Sequence, residues 1–391
     1  MDFALTSEQE AIEKAVGQIC ARFGDDYWLK HDKEGGFPTE LHQALAAEGW
    51  LGIAIPEAYG GSGLGITEAA IMMQTISHSG AGMSGASAVH MNIFGLNPVV
   101  VFGTEEQKRR MLPPLVAGKE RACFAVTEPN TGLDTTRLKT RAVLKGDRYV
   151  VNGQKVWIST AQVAEKVLLL ARTTPLEDVK ARTDGLSLFY TNLDRAHVEV
   201  REIEKMGRKA VDSNQLFFDN LEIPVADRIG EEGKGFHYIL HGMNPERILI
   251  AAEAVGLGRL AIERAAGYAK ERIVFGRPIG QNQAIQHPLA ESWMELEAAH
   301  WMAMNAAWHY DTGKPVGITG AYANAAKYLA GEAGFHACER AVMAHGGYGY
   351  AKEYHVERYL RESLIPRITP VSPQLVLCYI AERVLGLPKS Y

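Results

Sequence analysis

Apolar positions recur with two different periods along this chain of 391 residues. They are spaced as in helices over residues 1–120 and 235–391, whereas residues 121–234 have the alternation and turns typical of β-strands. Capping-box spacing at Thr6–Gln9 and again at Thr104–Gln107 marks two helix starts. The pattern therefore predicts an α+β protein that is mostly α, with an N-terminal helical domain, a central antiparallel β-domain and a C-terminal helical domain.

The central segment is predicted to hold short strands joined by tight turns. Its strands are expected at Leu138–Leu144, Arg148–Val151, Lys155–Ser159, Lys166–Arg172, Leu186–Thr191 and Gln215–Phe218. Asn152-Gly153 predicts a tight hairpin, and Asp219-Asn220 predicts a turn after the last strand. A threonine that follows one strand and the Trp-Ile-Ser sequence on another can then meet at one sheet edge. Such an edge offers hydroxyls, backbone groups and an indole face to a flat ring.

Four long helices are predicted after residue 236. They cover Glu246–Arg272, Ala284–Asp311, Gly320–His345 and Val371–Leu385. Because the links between them are short, neighbouring helices are expected to be antiparallel, and the C-terminal domain is expected to be a four-helix bundle.

Composition narrows the class of protein. With 47% hydrophobic and 22% charged residues the chain can build its own core, and a formal net charge of −5 without a basic run argues against nucleic acid as a partner. The four cysteines form no CxxC pair, so we expect neither a metal site nor a disulfide framework. The N-terminus resembles no targeting signal, and no uninterrupted apolar run is long enough to span a membrane. We expect a cytoplasmic location in a bacterium or, alternatively, the mitochondrial matrix after processing.

Several motifs follow one another along the chain. They are TEPNTGLD from Thr127, NGQKVWIS from Asn152, Met206-Gly207-Arg208, the glycine-rich Gly230–Phe236, RIVFGRPI from Arg272 with Gln283, and HGGYGY from His345. Each alone is an ordinary turn or helix end. Together, in this order and over nearly the whole chain, they resemble the acyl-CoA dehydrogenase family.

The resemblance implies an FAD site built from two subunits, and hence a homodimer or homotetramer. From the β-domain it implies contacts by Phe124, Val126, Thr127, Gly132, Trp157, Ile158 and Ser159. Contacts to the adenine-dinucleotide half are implied for Arg272, Phe275, Gln283, Met343, Gly346 and Gly347, and Ser372 completes the set. The family member would oxidise an acyl-CoA to the trans-2-enoyl-CoA and pass electrons to an electron-transfer flavoprotein.

The catalytic base departs from the commonest family pattern. Most members carry a glutamate in a loop before the last helix, where this chain has Pro370. A second arrangement, in isovaleryl-type and long-chain members, places the glutamate on a helix of the C-terminal bundle, and Asn244-Pro245-Glu246-Arg247 matches it. Glu246 is therefore the expected base. The same four residues also suit an ordinary helix N-terminus, which is the alternative interpretation.

The resemblance further implies a substrate pocket at His90, Phe94, Leu133, Arg247 and Pro370. Proline has no N–H to hold the thioester carbonyl, so Pro370 removes a donor that the family uses. Leu133 and Met343 replace a serine and a glutamine that are usual in the family, and Val274 replaces a threonine. These departures keep three alternatives open, namely an enoyl-CoA reductase, an acyl-CoA oxidase and a non-redox elimination enzyme. An inactive nucleic-acid-associated relative and a purely structural helical protein are more distant alternatives.

Overall fold

Two helical regions flank a β-sheet in the computed structural model, which describes residues 4–390. The N-terminal region has helices α1 Ser7–Cys20, α2 Asp25–Glu34, α3 Thr39–Ala47, α4 Ile66–Ile76, α5 Gly82–Phe94, α6 Asn97–Phe102 and α7 Glu105–Val116. Both predicted capping boxes are confirmed, because Thr6 caps α1 with Gln9 and Thr104 caps α7 with Gln107.

The sheet is mainly antiparallel, as predicted. The described chain contains eight paired strands in it: β1 Ala122–Ala125, β2 Arg141–Lys145, β3 Arg148–Ser159, β4 Lys166–Arg172, β5 Leu186–Asn192, β6 Val198–Glu202, β7 Ser213–Pro224 and β8 Arg228–Ile229. The strand order is β6-β7-β3-β2-β4-β5-β8, and β1 joins β4 as a parallel neighbour. Strand β1 leads directly into Val126 and Thr127, which are predicted to contact the cofactor. The pairing of β1 with β4 therefore fixes where these two residues leave the sheet.

The predicted hairpin at Asn152-Gly153 is wrong. Strand β3 continues through it and pairs with β7, with a register shift between Val151 and Gly153 that forms a β-bulge. A Cβ atom on Gly153 would lie 2.6 Å from the Cα of Thr140. Glycine is therefore needed here for close backbone approach and not for a turn.

The predicted turn at Asp219-Asn220 is wrong for a related reason. Strand β7 runs through these residues to Pro224, and Asn220 adopts a positive φ of 53° within it. Its backbone N–H donates to the Asn152 side-chain oxygen at 3.0 Å, so the two irregular positions face each other across the β3–β7 pair. Asparagine tolerates this conformation, which explains why the sequence looks like a turn at both places.

The described C-terminal region contains the four predicted helices and two that the sequence pattern did not predict, the short α8 and the longer α12. Its elements are α8 Gly235–His241, α9 Met243–Glu271, the short strands β9 Ile273–Val274 and β10 Arg277–Pro278, α10 Gln283–Asp311, α11 Val316–His345, α12 Val356–Ile368 and α13 Pro373–Arg383. Helix α12 was missed because it buries a charged pair: Arg358 Nη1 lies 3.2 Å from Glu362 Oε1, and both side chains are at most 2% exposed. Such a helix has no clear apolar stripe.

Helix α9 lies at the centre of the protein. It packs against α4 of the N-terminal region and against α10 and α11 of the bundle. A Cβ on Gly256 would lie 2.3 Å from the Gln74 carbonyl oxygen of α4, and one on Gly258 would lie 3.2 Å from the Cα of Gly334 on α11. These close approaches bury α9 on two sides. A Cβ on Gly242, just before α9, would lie 2.8 Å from the Phe94 carbonyl oxygen of α5, so the first turn of α9, with Glu246, also begins against the N-terminal region.

Two stretches have the length and apolarity of a membrane span when they are judged by length and composition alone. One, Ile66–Phe102, is 67% buried inside the protein and is interrupted by a non-helical Gly80. The other, Val356–Arg383, consists of α12 and α13, which are separate helices with Ser372 capping the second. Neither is one continuous helix, and a buried core helix passes the same test of length and composition.

Candidate active site

Glu246 lies in the first turn of α9 and faces the interior. The helix begins at Met243 after Gly242, so Asn244 is not the N-cap, although Glu246 remains close to the helix N-terminus. The carboxylate Oε2 atom of Glu246 is buried and has no hydrogen-bond partner among residues 4–390. Burial raises the pKa of Glu246 to about 7. The positive charges of His90 and Arg247 partly oppose this increase, whereas the negative charge of Glu253 adds to it. An interior carboxyl group that titrates near neutral pH can accept and return a proton.

A second buried carboxylate lies two turns further along the same face of α9. Glu253 is fully buried, and its Oε1 atom accepts a hydrogen bond from His90 Nδ1 of α5. Burial by itself would lower the pKa of His90, but the charges of Glu253 and Glu246 raise it overall. The sequence analysis missed Glu253. Its position seven residues after Glu246 was the available signal, because that spacing returns to one helix face.

Aromatic contacts connect this pair to the β-domain. The His90 ring lies 4.8 Å from the Phe94 ring on α5, and Phe94 makes an edge-to-face contact at 5.2 Å with Phe124 of β1. The structure thus brings together His90 and Phe94, predicted from the resemblance to line a pocket, and Phe124, predicted to lie at the cofactor. Through Glu253, the same group of side chains is joined to the helix that carries Glu246.

A buried ion pair holds the segment after β1 against β3. Lys155 Nζ donates to the Val126 carbonyl oxygen at 2.9 Å and lies 3.0 Å from Glu128 Oε1. The Val156 amide donates to the Thr127 carbonyl oxygen at 2.9 Å. Burial lowers the pKa of Lys155 to about 8, although Glu128 opposes the shift. The pair places Val126 and Thr127 beside Trp157, and the sequence analysis missed it although both residues stand inside the quoted motifs.

Strand β3 turns the Trp157 side chain outward. Trp157 has a positive φ of 63°, lies where the register with β7 shifts, and is 60% exposed. Ile158 is buried in the sheet core, so its contribution to a site is limited to its backbone. The Ser159 hydroxyl accepts from Arg208 Nη2 at 3.0 Å, and Arg208 also donates to Ser87 at 2.9 Å. Arg208 therefore fixes the end of β3 against α5.

Two predicted cofactor residues, Gly132 and Ser372, and two predicted substrate residues, Leu133 and Pro370, lie at turns, loops or a helix start. Gly132 and Leu133 are exposed at the turn after Thr127. The Ser372 hydroxyl accepts from the Leu375 amide at 3.3 Å and caps α13, so it already has a structural role. The loop that contains Pro370 is held by Lys327, whose Nζ donates to the carbonyl oxygens of Arg367 and Val371 at 3.0 and 2.7 Å.

Arg247 follows Glu246 on α9, and its Nη1 atom donates to the Met243 carbonyl oxygen at 3.3 Å. Its Nε atom is buried and finds no acceptor within the described chain. The guanidinium therefore has unused hydrogen-bonding capacity beside the Glu246 carboxylate.

The residues predicted to contact the other half of the cofactor lie far from this group. They are Arg272, Phe275, Gln283, Met343, Gly346 and Gly347, and they gather beyond the C-terminal end of α9. From Glu246 to Glu271 the helix rises about 40 Å. Phe275 is 100% exposed, and a Cβ on Gly346 or Gly347 would meet no described atom within 4 Å. These residues therefore form a second group, at the end of α9 opposite to Glu246.

Both groups of residues fit a flavin dinucleotide. The exposed indole of Trp157 offers a flat apolar face next to Thr127, as an isoalloxazine ring requires. The exposed side chains of Phe275 and Met343, with open backbone at Gly346 and Gly347, suit the adenine-dinucleotide half. Both groups therefore have a lining that suits part of this cofactor.

We expect Trp157→Ala to weaken FAD binding about tenfold to hundredfold, because stacking of a flat ring on an aromatic side chain contributes about 1–3 kcal/mol. The half-exposed indole adds little to the core, so the midpoint of thermal unfolding of the apoprotein should change little. Equilibrium dialysis of FAD measures the effect. Trp308→Ala is the matched control, because Trp308 is 51% exposed and contacts Lys314 on the bundle. Equal FAD affinity in both variants would remove Trp157 from the site.

Comparison with known proteins agrees with this geometry. Three family models match: the acyl-CoA dehydrogenase N-terminal domain over residues 6–119, the middle domain over 123–221 and the C-terminal domain over 233–384. The chain is 36% identical to acyl-CoA dehydrogenase fadE12 of Mycobacterium bovis, covering 100% of this chain and 99% of the relative. It is 33% identical to acryloyl-CoA reductase (NADH) of Anaerotignum propionicum, covering 98% and 96%.

Solved structures give the same result. Butyryl-CoA dehydrogenase from Megasphaera elsdenii superposes with a TM-score of 0.92 at 30% identity, covering 98% of this chain and 100% of that one. A chain described as the electron transferring flavoprotein of Acidaminococcus fermentans gives 0.91 at 31% identity, with the same coverage. The FAD complex of PigA gives 0.92 at 27% identity, covering 99% and 100%. The chain belongs to the acyl-CoA dehydrogenase family, the FAD-dependent oxidoreductases that dehydrogenate acyl-CoA thioesters between the α and β carbons.

Proposed function

We propose that Glu246 is the base that removes the α-proton of an acyl-CoA bound between α9 and the β-domain. The observation that carries the proposal is the Glu246 carboxylate itself, which is interior, has an unpartnered Oε2 atom and has its pKa raised to about 7. At neutral pH a large fraction of such a group is ionised, and the ionised form is a stronger base than an ordinary glutamate. No carboxylate is available at Pro370, where most of the family carries it.

The chain's own residues would position the substrate and hold the proton. Bound FAD would supply the acceptor for the hydride of the β-carbon. Thr127 and Trp157 lie beside each other at the sheet edge and would define the plane of the reacting carbons. Glu246 would approach from α9 and take the α-proton onto its Oε2 atom. Arg247, with a buried and unpartnered Nε atom, is the neighbouring cation that stabilises the Glu246 carboxylate before the proton arrives.

Reduction of an enoyl-CoA is the second candidate function. The 33% identity to an acryloyl-CoA reductase favours it, because that relative is named for the reverse reaction, the reduction of an enoyl-CoA. Pro370 adds to it, because the thioester oxygen lacks the N–H that this loop position usually supplies. In that direction Glu246 would have to be protonated at the start, so the two functions require opposite charge states of one group.

Assembly and electron transfer complete the proposal. A homodimer or homotetramer is supported by the about 40 Å that α9 places between the two groups of cofactor residues. An electron-transfer flavoprotein as acceptor is supported by the match to a chain described under that name. A bacterial cytoplasm is supported by the bacterial relatives.

The pH dependence separates the two directions. Dehydrogenation should lose kcat/KM about tenfold per pH unit below about 7, because the pKa of Glu246 is raised to that value and only its ionised form accepts a proton. Enoyl-CoA reduction should instead lose activity above the same pH. Anaerobic flavin reduction by acyl-CoA and reoxidation by enoyl-CoA, each measured from pH 5 to 9, give the two profiles. An inflection near the ordinary glutamate value would contradict the assignment.

A further inference from the structure

His90 and Glu253 form a buried polar pair, which is unusual at a site proposed to bind a hydrocarbon chain. Glu253 is 0% exposed, and its Oε2 atom is buried without a partner in the part of the chain that the structure describes. Its Oε1 atom accepts from His90 Nδ1. A purely apolar lining would leave the fold at least as stable, because replacing a buried ion pair by packed apolar residues is often neutral or stabilising. The pair therefore needs an explanation in terms of binding.

The other ring nitrogen of His90 is available to a ligand. The His90 side chain keeps 12% of its surface accessible although Glu253 beside it is fully enclosed. Glu253 occupies Nδ1, so Nε2 is the remaining polar atom of the ring. Nε2 has no hydrogen-bond partner within residues 4–390, and it is not one of the fully buried polar atoms that lack a partner. The charges of Glu253 and Glu246 raise the pKa of His90 against the effect of burial, which favours a proton on both ring nitrogens. Nε2 is then a donor without an acceptor.

If Glu246 takes the α-proton, this donor lies within reach of the bound acyl chain. Glu253 follows Glu246 by two turns on one face of α9, which is about 10 Å along the axis. The His90 ring also contacts Phe94, which contacts Phe124 at the start of the cofactor segment. An acyl chain whose α-carbon lies at Glu246 would reach His90 several carbons beyond the reacting bond.

We propose that His90, held by Glu253, binds an oxygen atom on the acyl chain several carbons beyond the thioester, so that the substrate is an oxygenated acyl-CoA. The inference rests on the proposed function of Glu246. A plain alkyl chain would leave the Nε2 donor desolvated and unpaired, which costs about 1–3 kcal/mol. A keto or hydroxyl oxygen satisfies it.

The charges around His90 favour a neutral oxygen over a carboxylate. Glu253 already balances the imidazolium, and Glu246 adds a further negative charge within electrostatic reach. The positive charge of Arg208 also acts on His90, but its two Nη atoms already donate to the hydroxyls of Ser87, Ser159 and Ser213. A chain ending in a carboxylate would bury an additional negative charge close to Glu246 and Glu253, whereas a ketone or alcohol would bury none.

The test compares acyl chains of one length on the FAD-loaded enzyme. Three kinds of thioester are mixed anaerobically with the protein: octanoyl-CoA, oxo-octanoyl-CoAs with the ketone moved stepwise from carbon 5 to carbon 7, and the octanedioic mono-CoA thioester. The rate of flavin bleaching gives kcat/KM. One oxo isomer should react about 10–100-fold more efficiently than octanoyl-CoA, the ratio for a hydrogen bond to a charged group. The dicarboxylic thioester should gain nothing.

The double variant His90→Leu, Glu253→Met assigns the preference to the pair. Both residues are changed because removing one would leave a buried charge uncompensated. The ratio of the two substrates, and not either rate alone, should fall to about one. His90→Gln, which keeps a side-chain donor, should retain part of the preference and serves if the double variant does not fold.

An equal or greater rate with octanoyl-CoA, or a ratio that survives in the double variant, would overturn the inference and leave Glu246 as the base. Failure of every thioester to bleach the flavin would overturn the proposed function, and the inference with it.

Discussion

Flavin reduction by acyl-CoA is expected to be about 10²–10⁴-fold slower in Glu246→Gln than in the wild type, the range that general-base catalysis contributes. Glutamine has the size of glutamate but cannot take up a proton. Because Glu246 Oε2 has no partner in the described structure, the amide breaks no existing hydrogen bond there. Rapid anaerobic mixing of the FAD-loaded variant with straight-chain and branched acyl-CoAs, followed at the oxidised-flavin absorbance, measures the rate. Glu246→Asp should fall between the two, since it is ionisable but shorter.

The matched control is Glu263→Gln on the same helix. Glu263 is 60% exposed, and within residues 4–390 its only ion pair is with His78, so its loss should leave the reduction rate within a factor of about two of the wild type. FAD content must be equal in all variants for the rates to be compared. Bleaching of Glu246→Gln at the wild-type rate would mean that another group takes the α-proton, and the alternative explanation of Glu246 as an ordinary helix-start residue would stand.

The order of helices and strands could be predicted because each element is specified by residues that are close together in the sequence. Capping boxes at Thr6 and Thr104 and helical spacing after residue 236 each involve residues within a turn or two of one another. The two errors in the sheet have a common cause. Asn152-Gly153 and Asn220 carry turn residues, but the long β3–β7 pairing uses their conformational freedom for bulges. Tertiary pairing decided between two structures that the local sequence allows equally.

The site could be predicted only as far as its motifs extend. Glu246 and the segment with Val126 and Thr127 belong to short recognisable motifs. The residues that determine their positions and pKa values are distant in sequence. His90 and Glu253 are 163 residues apart, and Lys155 and Glu128 are 27 apart across a bulged sheet. Neither pairing follows from the period of α5 or β3 alone. The raised pKa of Glu246 likewise depends on burial by several elements at once, which no single stretch encodes.

Lys155→Met is expected to lower the free energy of unfolding by about 3–5 kcal/mol, because it leaves the Glu128 carboxylate buried without its countercharge. The variant should also lose FAD. The Val126 carbonyl loses its ammonium donor, so the segment that carries Thr127 is no longer fixed beside Trp157. Urea unfolding followed by circular dichroism measures the first effect, and the flavin-to-protein absorbance ratio after gel filtration measures the second.

Two further variants distinguish the buried charge from the loss of a lysine. Lys145→Met removes a lysine from the exposed end of β2 and should change stability by less than about 0.5 kcal/mol. Lys155→Met combined with Glu128→Gln should recover most of the loss, because a neutral amide oxygen can still accept from the Lys139 or Thr140 amide while no charge remains buried. If the double variant stayed as unstable as Lys155→Met, the cost would come from packing of the lysine stem, and the ion pair would not be what holds the cofactor segment to β3.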